Sequence, residues 1–267
     1  MKHLKVFAFV MVLTSAFVVT GCSNGNDISK DGHSFISYMG TKEPSVPKEV
    51  GDIVFNDGSA TPYTPQLTLS NEQKAAAIAI IFYKGTGLNN GDDTTTSRTL
   101  GVGLKHDKTG RERCLNSANA YSKDITTIRD DDKNGSDNLS QIATFLSAPG
   151  SGTTDDTGTT SNYPAFDFAI TYSSTATNLG TTYANGWYLP SIAELYEIYN
   201  CRANNVNIDD ASSLCEGDTF STSYYWSSSQ YASVDNYAYV LGFGNGGWYG
   251  YDKDNDCFYV CAIRAFN

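Results

Sequence analysis

The chain has 267 residues, with 29 acidic against 18 basic side chains and a net charge of −11. No basic stripe exists to displace counterions from phosphate, so nucleic acid is a poor partner. Of three histidines, only His106 falls outside the first 33 residues. No nucleophile elbow accompanies it, which argues against a serine triad, and a histidine metal cluster lacks its ligands. His106 itself is expected at the surface.

The first residues, MKHLKVFAFVMVLTSAFVVTGC, carry Lys2 and Lys5, an apolar run from Val6 to Val19, and small residues before Cys22. Residues 1–21 therefore read as a secretory signal, since the run is short for a spanning helix and ends in a processing pattern. Val19-Thr20-Gly21-Cys22 resembles the lipobox of bacterial lipoproteins. That resemblance implies a lipid on Cys22 and a membrane anchor, and Ser23 in place of Asp implies the outer membrane. Residues 22–50, rich in Ser, Gly, Asn, Asp and Lys, read as a flexible tether. Residues 51–267 are enough for one domain with a substantial core, and show no repeat at solenoid spacing.

In chain order, "GDIVFNDGSATPY" predicts a strand, a turn at Asn56-Asp57-Gly58 and a second extended piece. "AAIAIIFYKG" predicts a buried strand. Gly101-Val102-Gly103 lacks the rest of a dinucleotide fingerprint. After a polar loop, "RERCLNSANAYSKDI" has helical spacing, and "DNLSQIATFLSA" predicts a helix with Leu139, Ile142, Phe145 and Leu146 on one face. Residues 149–161 read as a mobile surface loop. "PAFDFAITYS" predicts a helix with Pro164 in its first turn. "GWYLPSIAELYEIYN" predicts another, opened by a Ser191/Glu194 capping box and carrying the stripe Ile192, Leu195, Ile198. From Tyr224 the period falls to about two, predicting strands at "YYWSSS", "NYAYVLGF", "GWYGYDK" and "CFYVCAIRAF", with Asn245-Gly246 as a hairpin turn. Helices early and antiparallel strands late imply an α+β domain.

Beyond Cys22 there are five cysteines, so at least one thiol is unpaired within the chain. Cys201 and Cys215, bracketing the loop after a predicted helix, are the preferred disulfide. Cys257 and Cys261, four apart in a predicted strand, point to one face and cannot readily bridge each other. A thiol-dependent enzyme would need reactive thiolates there, whereas the acidic, aromatic surroundings raise a thiol pKa. Asp130, Asp132 and Asn134 alternate before Gly135 like the opening of a calcium loop, but Gln141 stands where the closing bidentate Glu belongs. Calcium is weighed against a plain solvated turn; no other cofactor is indicated.

"GWYLPSIAEL", "YYWSSS" and "YVCAIRAF" follow the order found in the C-type-lectin-like domains of the Legionella collagen-like C-terminal family and its formylglycine-generating-enzyme-like relatives. The resemblance implies a C-type-lectin-like fold, a twisted antiparallel sheet braced by helices, whose last strands and loops present a ligand-binding face. A closer resemblance is to the variable lipoproteins of diversity-generating retroelements known from treponemes. There an error-prone reverse transcriptase changes template adenines, and an asparagine codon so altered cannot become Glu, Gln, Lys, Met or Trp. Residues 231–261 contain no Glu, Gln or Met, and the two excluded types present, Trp248 and Lys253, would be fixed scaffold positions. Cys261 departs from the family ending, which usually has a basic residue there.

Tyrosine offers a large amphipathic contact area at low rotamer entropy, and Ser, Gly and Asn adapt hydrogen bonding, as in paratopes. The candidate ligand-binding residues are Tyr231, Asp235, Tyr237, Tyr239, Asn245, Tyr249, Tyr251, Asp252, Asp254, Asn255 and Asp256, with a protein or glycan as partner. The alternative is that half of these tyrosines fill the core and the rest form a soluble rim. Trp187, Trp226, Ile263 and Phe266 are expected in the scaffold, and Arg264, between apolar neighbours, is expected to need a carboxylate or carbonyl.

Overall fold

The computed structural model describes residues 37–267 apart from 91–92, 204–206 and 221. The signal, Cys22 and the start of the tether lie outside the described residues. The tether does not reach residue 50, because the compact unit begins at Tyr38. The cause is Asp52, a buried carboxylate that needs a cation: the Lys42 ammonium lies 2.6 Å from it, and the Lys42 backbone pairs with Ala60.

The first predicted hairpin is present as β1 (Asp52–Phe55) and β2 (Ala60–Pro62), turned at Gly58 with φ 85°. A short helix, α1 (Asn71–Ala76), capped by a Ser70/Gln73 box, then precedes β3 (Ala77–Gly85). Two strands arise that the pattern did not indicate, β4 (Arg98–Gly103) and β5 (Asp107–Arg111). The helix expected over 111–125 does not form; turns replace it. Its backbone bonds go elsewhere, the Cys114 N–H to the Lys253 carbonyl and the Leu115 N–H to Asn162. The Arg113 guanidinium is buried, donating to the Ser227 and Ser228 carbonyls. Long-range partners thus override local helical spacing.

α2 (Asn138–Ser147) and α3 (Pro164–Ile170) form where expected, α2 burying Ile142 and Leu146 and α3 starting on Pro164. Between them the 149–161 loop is pinned by Asp156, which accepts the Tyr163 hydroxyl at 2.5 Å and the Asn119 N–H. β6 (Trp187–Tyr188) leads into α4 (Ile192–Ala203), whose capping box is complete: the Ser191 N–H donates to the Glu194 carboxylate and the Glu194 N–H to the Ser191 hydroxyl. A further short helix, α5 (Ile208–Leu214), follows. β7 (Tyr224–Gln230), β8 (Tyr237–Gly242) and β9 (Gly247–Asp252) make the predicted meander, with Gly246 at φ 71° in the hairpin.

The last predicted strand is in fact two, β10 (Phe258–Val260) and β11 (Ile263–Ala265), which enter different sheets. One sheet has the order β2-β1-β3-β4-β11-β6 and the other β5-β10-β7-β8-β9. β10 runs parallel to β7, and every other pairing is antiparallel. The α+β class holds, with helices bracing two sheets rather than one. Both sheets share both cores. Ile78, Ile81, Trp187, Trp226, Val240 and Phe266 meet α2 and α3 in one; Ile80, Phe82, Tyr225, Leu241, Ile263 and the Ile192-Leu195-Ile198 stripe of α4 meet in the other. Arg264 finds its carbonyl on Asn185 and lies over the Tyr183 ring at 4.9 Å.

The five described cysteines are all free thiols, so Cys201 and Cys215 are not bridged. The Cys201 Sγ faces the Phe82 carbonyl at 2.8 Å, and Cys215 is buried at the end of α5. His106 is not at the surface but buried against Phe220, with its Nδ1 3.2 Å from the Tyr225 hydroxyl, and burial lowers its pKa to about 4.

Candidate ligand-binding face

β9 is the outer strand of the five-stranded sheet, and its register with β8 settles which side chains share a face. Tyr237 pairs with Asp252, Tyr239 with Gly250 and Leu241 with Trp248; the intervening pairs, Ala238–Tyr251 and Val240–Tyr249, point the opposite way. The predicted tyrosines therefore do not form one surface. Tyr237 and Tyr239 lie on one side of the sheet, Tyr249 and Tyr251 on the other.

On the first side, aromatic rings run in sequence across three elements. Tyr196 and Tyr199 of α4 stack at 6.1 Å, Tyr196 meets Trp248 at 5.8 Å, Trp248 meets Tyr239 at 6.1 Å, and Tyr239 meets Tyr231 at 5.0 Å, with Tyr237 beside Tyr231. Tyr196 and Trp248 are 37% and 39% exposed, large values for such rings, so this ladder is in contact with solvent. Gly250 is the floor beneath Tyr231: a Cβ there would lie 2.7 Å from its ring. Gly246 likewise leaves room for Tyr199. Burial, and to a lesser degree the negative charge of the exposed Asp130, raises the Tyr239 phenol pKa. Asp235, exposed, sits in the β7–β8 connection.

On the second side Tyr249 and Tyr251 pack half-buried against Tyr224 and Phe258 over the core. The remaining predicted residues do local work. Asn245 accepts the Gly247 N–H and donates to the Tyr249 hydroxyl. Asp252 accepts from the Tyr121 hydroxyl and from Asn236, Asp254 from Asn116, and Asn255 from the Cys257 N–H. Asp256 is exposed beside the Cys257 thiol.

Three ladder members escaped the sequence reading. Trp248, expected in the scaffold, is exposed on the edge strand, whereas Lys253, expected there too, is fully buried. Tyr196 and Tyr199 belong to a helix whose pattern is dominated by its apolar stripe; the available signal is a pair of aromatics at i and i+3 along the margin of that stripe.

The calcium-loop residues do not converge. Asp130 is exposed, Asn134 caps the turn at Gly135–Asp137, and Asp132 is buried, accepting the Asn134 N–H and a Gln141 amide. Burial raises the Asp132 pKa to about 7. Among the described residues no group of three or more His, Cys, Asp and Glu could hold a metal. Separately, a concavity of about 330 Å³ is lined by Lys74, Lys105, Tyr172 and Cys215; Lys74 is paired with Glu216, and burial raises the Cys215 thiol to about 12.

Residues 137–264 match the family model of the Lcl C-terminal domain, which relates the second half of the chain to the Legionella collagen-like C-terminal family. The fold resembles that of a fimbrial protein from Bacteroides ovatus, with a TM-score of 0.52 at 14% identity. The likeness covers 81% of this chain and 48% of that protein, so the chain spans about half its length. No curated protein matches the sequence. Among the described residues no helix is long and apolar enough to cross a membrane.

Proposed function

We propose that this chain is a surface-displayed lipoprotein, anchored in the bacterial outer membrane through Cys22, that binds a protein or glycan through the aromatic ladder at the open edge of its five-stranded sheet. The ladder is the observation that carries this reading. Contiguous, partly exposed Tyr and Trp rings have the composition of an interaction surface. The relation to the Lcl C-terminal domain over 137–264 supports it.

We further propose that this face is diversified between sibling cells. Tyr231, Tyr237 and Tyr239 lie in the segment with the restricted alphabet, while Ala238, Val240, Leu241, Phe243, Lys253 and Val260 of the same segment are buried and intolerant of change. Deep sequencing of the 3′ end of the gene in a clonal population should find variation at the codons of Tyr231, Tyr237 and Tyr239 and none at those six or at Trp248, traceable to adenines in a nearby invariant copy. A uniform tail with no second copy would instead make the protein a fixed adhesin of the same fold. The next step would then be glycan and matrix-protein arrays. Any ligand retained on those arrays should bind Trp248→Ala about tenfold or more weakly, with an unchanged melting temperature, because Trp248 is half-exposed on an edge strand. Equal binding by both proteins would move the site elsewhere.

A thiol-dependent enzyme is the competing class. Cys261 is buried with its thiol pKa raised by that burial, and the Asp256 carboxylate raises the pKa of exposed Cys257. In folded protein at neutral pH, a maleimide probe should label Cys257 slowly and Cys261 not at all. Rapid labelling of both would revive the enzyme.

A further inference from the structure

We infer that the ligand of this face is an extended polypeptide segment bearing Lys or Arg at alternate positions, added as a strand to the free edge of β9. The inference rests on the ladder being the binding site and names what would fill it.

The hydrogen-bond phase of the sheet makes the edge available. The Lys253 N–H donates to the Asn236 carbonyl, and the Phe243 N–H to Ser223. Ladder bonds alternate along antiparallel strands. Tyr249 and Tyr251 therefore bond inward to β8, and the N–H and carbonyl groups of Trp248 and Gly250, with the N–H of Asp252, point outward from the sheet. The Asp252 carbonyl is already taken by the Asn255 N–H. Edges of this kind are commonly blunted with Lys, Pro or bulges. β5, the opposite edge, carries Lys108 and Arg111, whereas β9 reads Gly-Trp-Tyr-Gly-Tyr-Asp and has no basic residue or proline.

Both faces beside the edge are aromatic, and their charge selects the partner. A strand added to β9 sends alternate side chains to either face of the sheet. On the ladder side they reach the exposed Trp248 ring, which meets Tyr239, a setting for cation–π contact by Lys or Arg on a chain of net charge −11. On the other side they meet Tyr249 and Tyr251, which suit apolar side chains. A second copy of this chain is a worse occupant, since each copy carries a net charge of −11.

The test is a selection of random dodecapeptides on phage against the full chain, followed by synthesis of the enriched peptides. Basic residues at alternate positions should be enriched. N-methylation of every second amide in the bonding register should weaken binding about tenfold or more, and so should Trp248→Ala. No enrichment, enrichment without basic residues, or binding indifferent to N-methylation in either register would overturn strand addition. If peptides fail while an arrayed glycan binds wild type and not Trp248→Ala, the ladder stands and the polypeptide ligand falls. If peptides bind both proteins equally, the ladder reading itself falls.

Discussion

Replacing Glu194 by Ala should lower the stability of the chain by about 3–5 kcal/mol, the cost of leaving a buried charge without its partner. Glu194 is fully buried and paired with the Arg98 guanidinium at 3.0 Å. The same carboxylate accepts the Ser191 N–H at 2.8 Å, the Gly135 N–H at 3.1 Å and the Tyr188 hydroxyl at 2.8 Å. One side chain thus ties the start of α4 to β4, β6 and the turn ahead of α2. Burial raises the Glu194 pKa while Arg98 and these donors oppose the rise, so the site depends on every partner being present. Urea unfolding should show a lower midpoint with an unchanged m-value. Combining Glu194→Ala with Arg98→Met should recover part of the loss, because no unpaired guanidinium then remains in the core. A double variant no better than Glu194→Ala would mean that the cap bonds, not the ion pair, carry the energy.

Replacing Lys253 by Met should cost about 3 kcal/mol, since buried carbonyls stripped of a donor each carry a penalty of about 1–3 kcal/mol and relaxation recovers part of the total. The Lys253 ammonium is fully buried and donates to the carbonyls of Ala120, Tyr121, Lys123 and Asp235 at 2.7–3.2 Å. It therefore pins the 111–125 turns and the loop carrying Asp235 to the end of β9. Burial, with Arg113 nearby, draws its pKa from 10.5 down to about 7. Between those values the unfolded chain holds more protons than the folded one, so the Lys253 contribution to stability rises with pH. The deficit of Lys253→Met should consequently be larger at pH 9 than at pH 6. A deficit independent of pH would show that Lys253 keeps its charge throughout. Binding through the ladder should weaken as well, because the Asp235 carbonyl loses its anchor next to Tyr231 and Tyr237.

These two residues mark how far the sequence was legible. Glu194 was readable as half of a capping box because capping depends on a three-residue spacing. Its partnership with Arg98 was not, since nothing local links positions 96 residues apart. Lys253 stood out as an exception to the alphabet of its segment, but only packing against the 111–125 turns and the β7–β8 connection puts its ammonium among four carbonyls. The binding face divides in the same way. An excess of tyrosine between 231 and 261 was visible, and so was the Asn245-Gly246 hairpin. Which tyrosines face together was not, because a period of two sorts side chains into faces without saying which face a core will cover.

By itself the sequence determined the α+β class, the positions of α2, α3 and α4, and the β7–β9 meander, all set by interactions within a few residues: apolar periodicity, caps, a proline at a helix start and a turn glycine. The tertiary structure decided the rest. It replaced a helix with turns around buried Arg113, divided the last strand between two sheets, left Cys201 and Cys215 as separate thiols, and brought Tyr196 beside Trp248 and Tyr199 beside Gly246. Each of those outcomes is fixed by burial and hydrogen bonding between residues distant in the chain, energies that no local pattern carries.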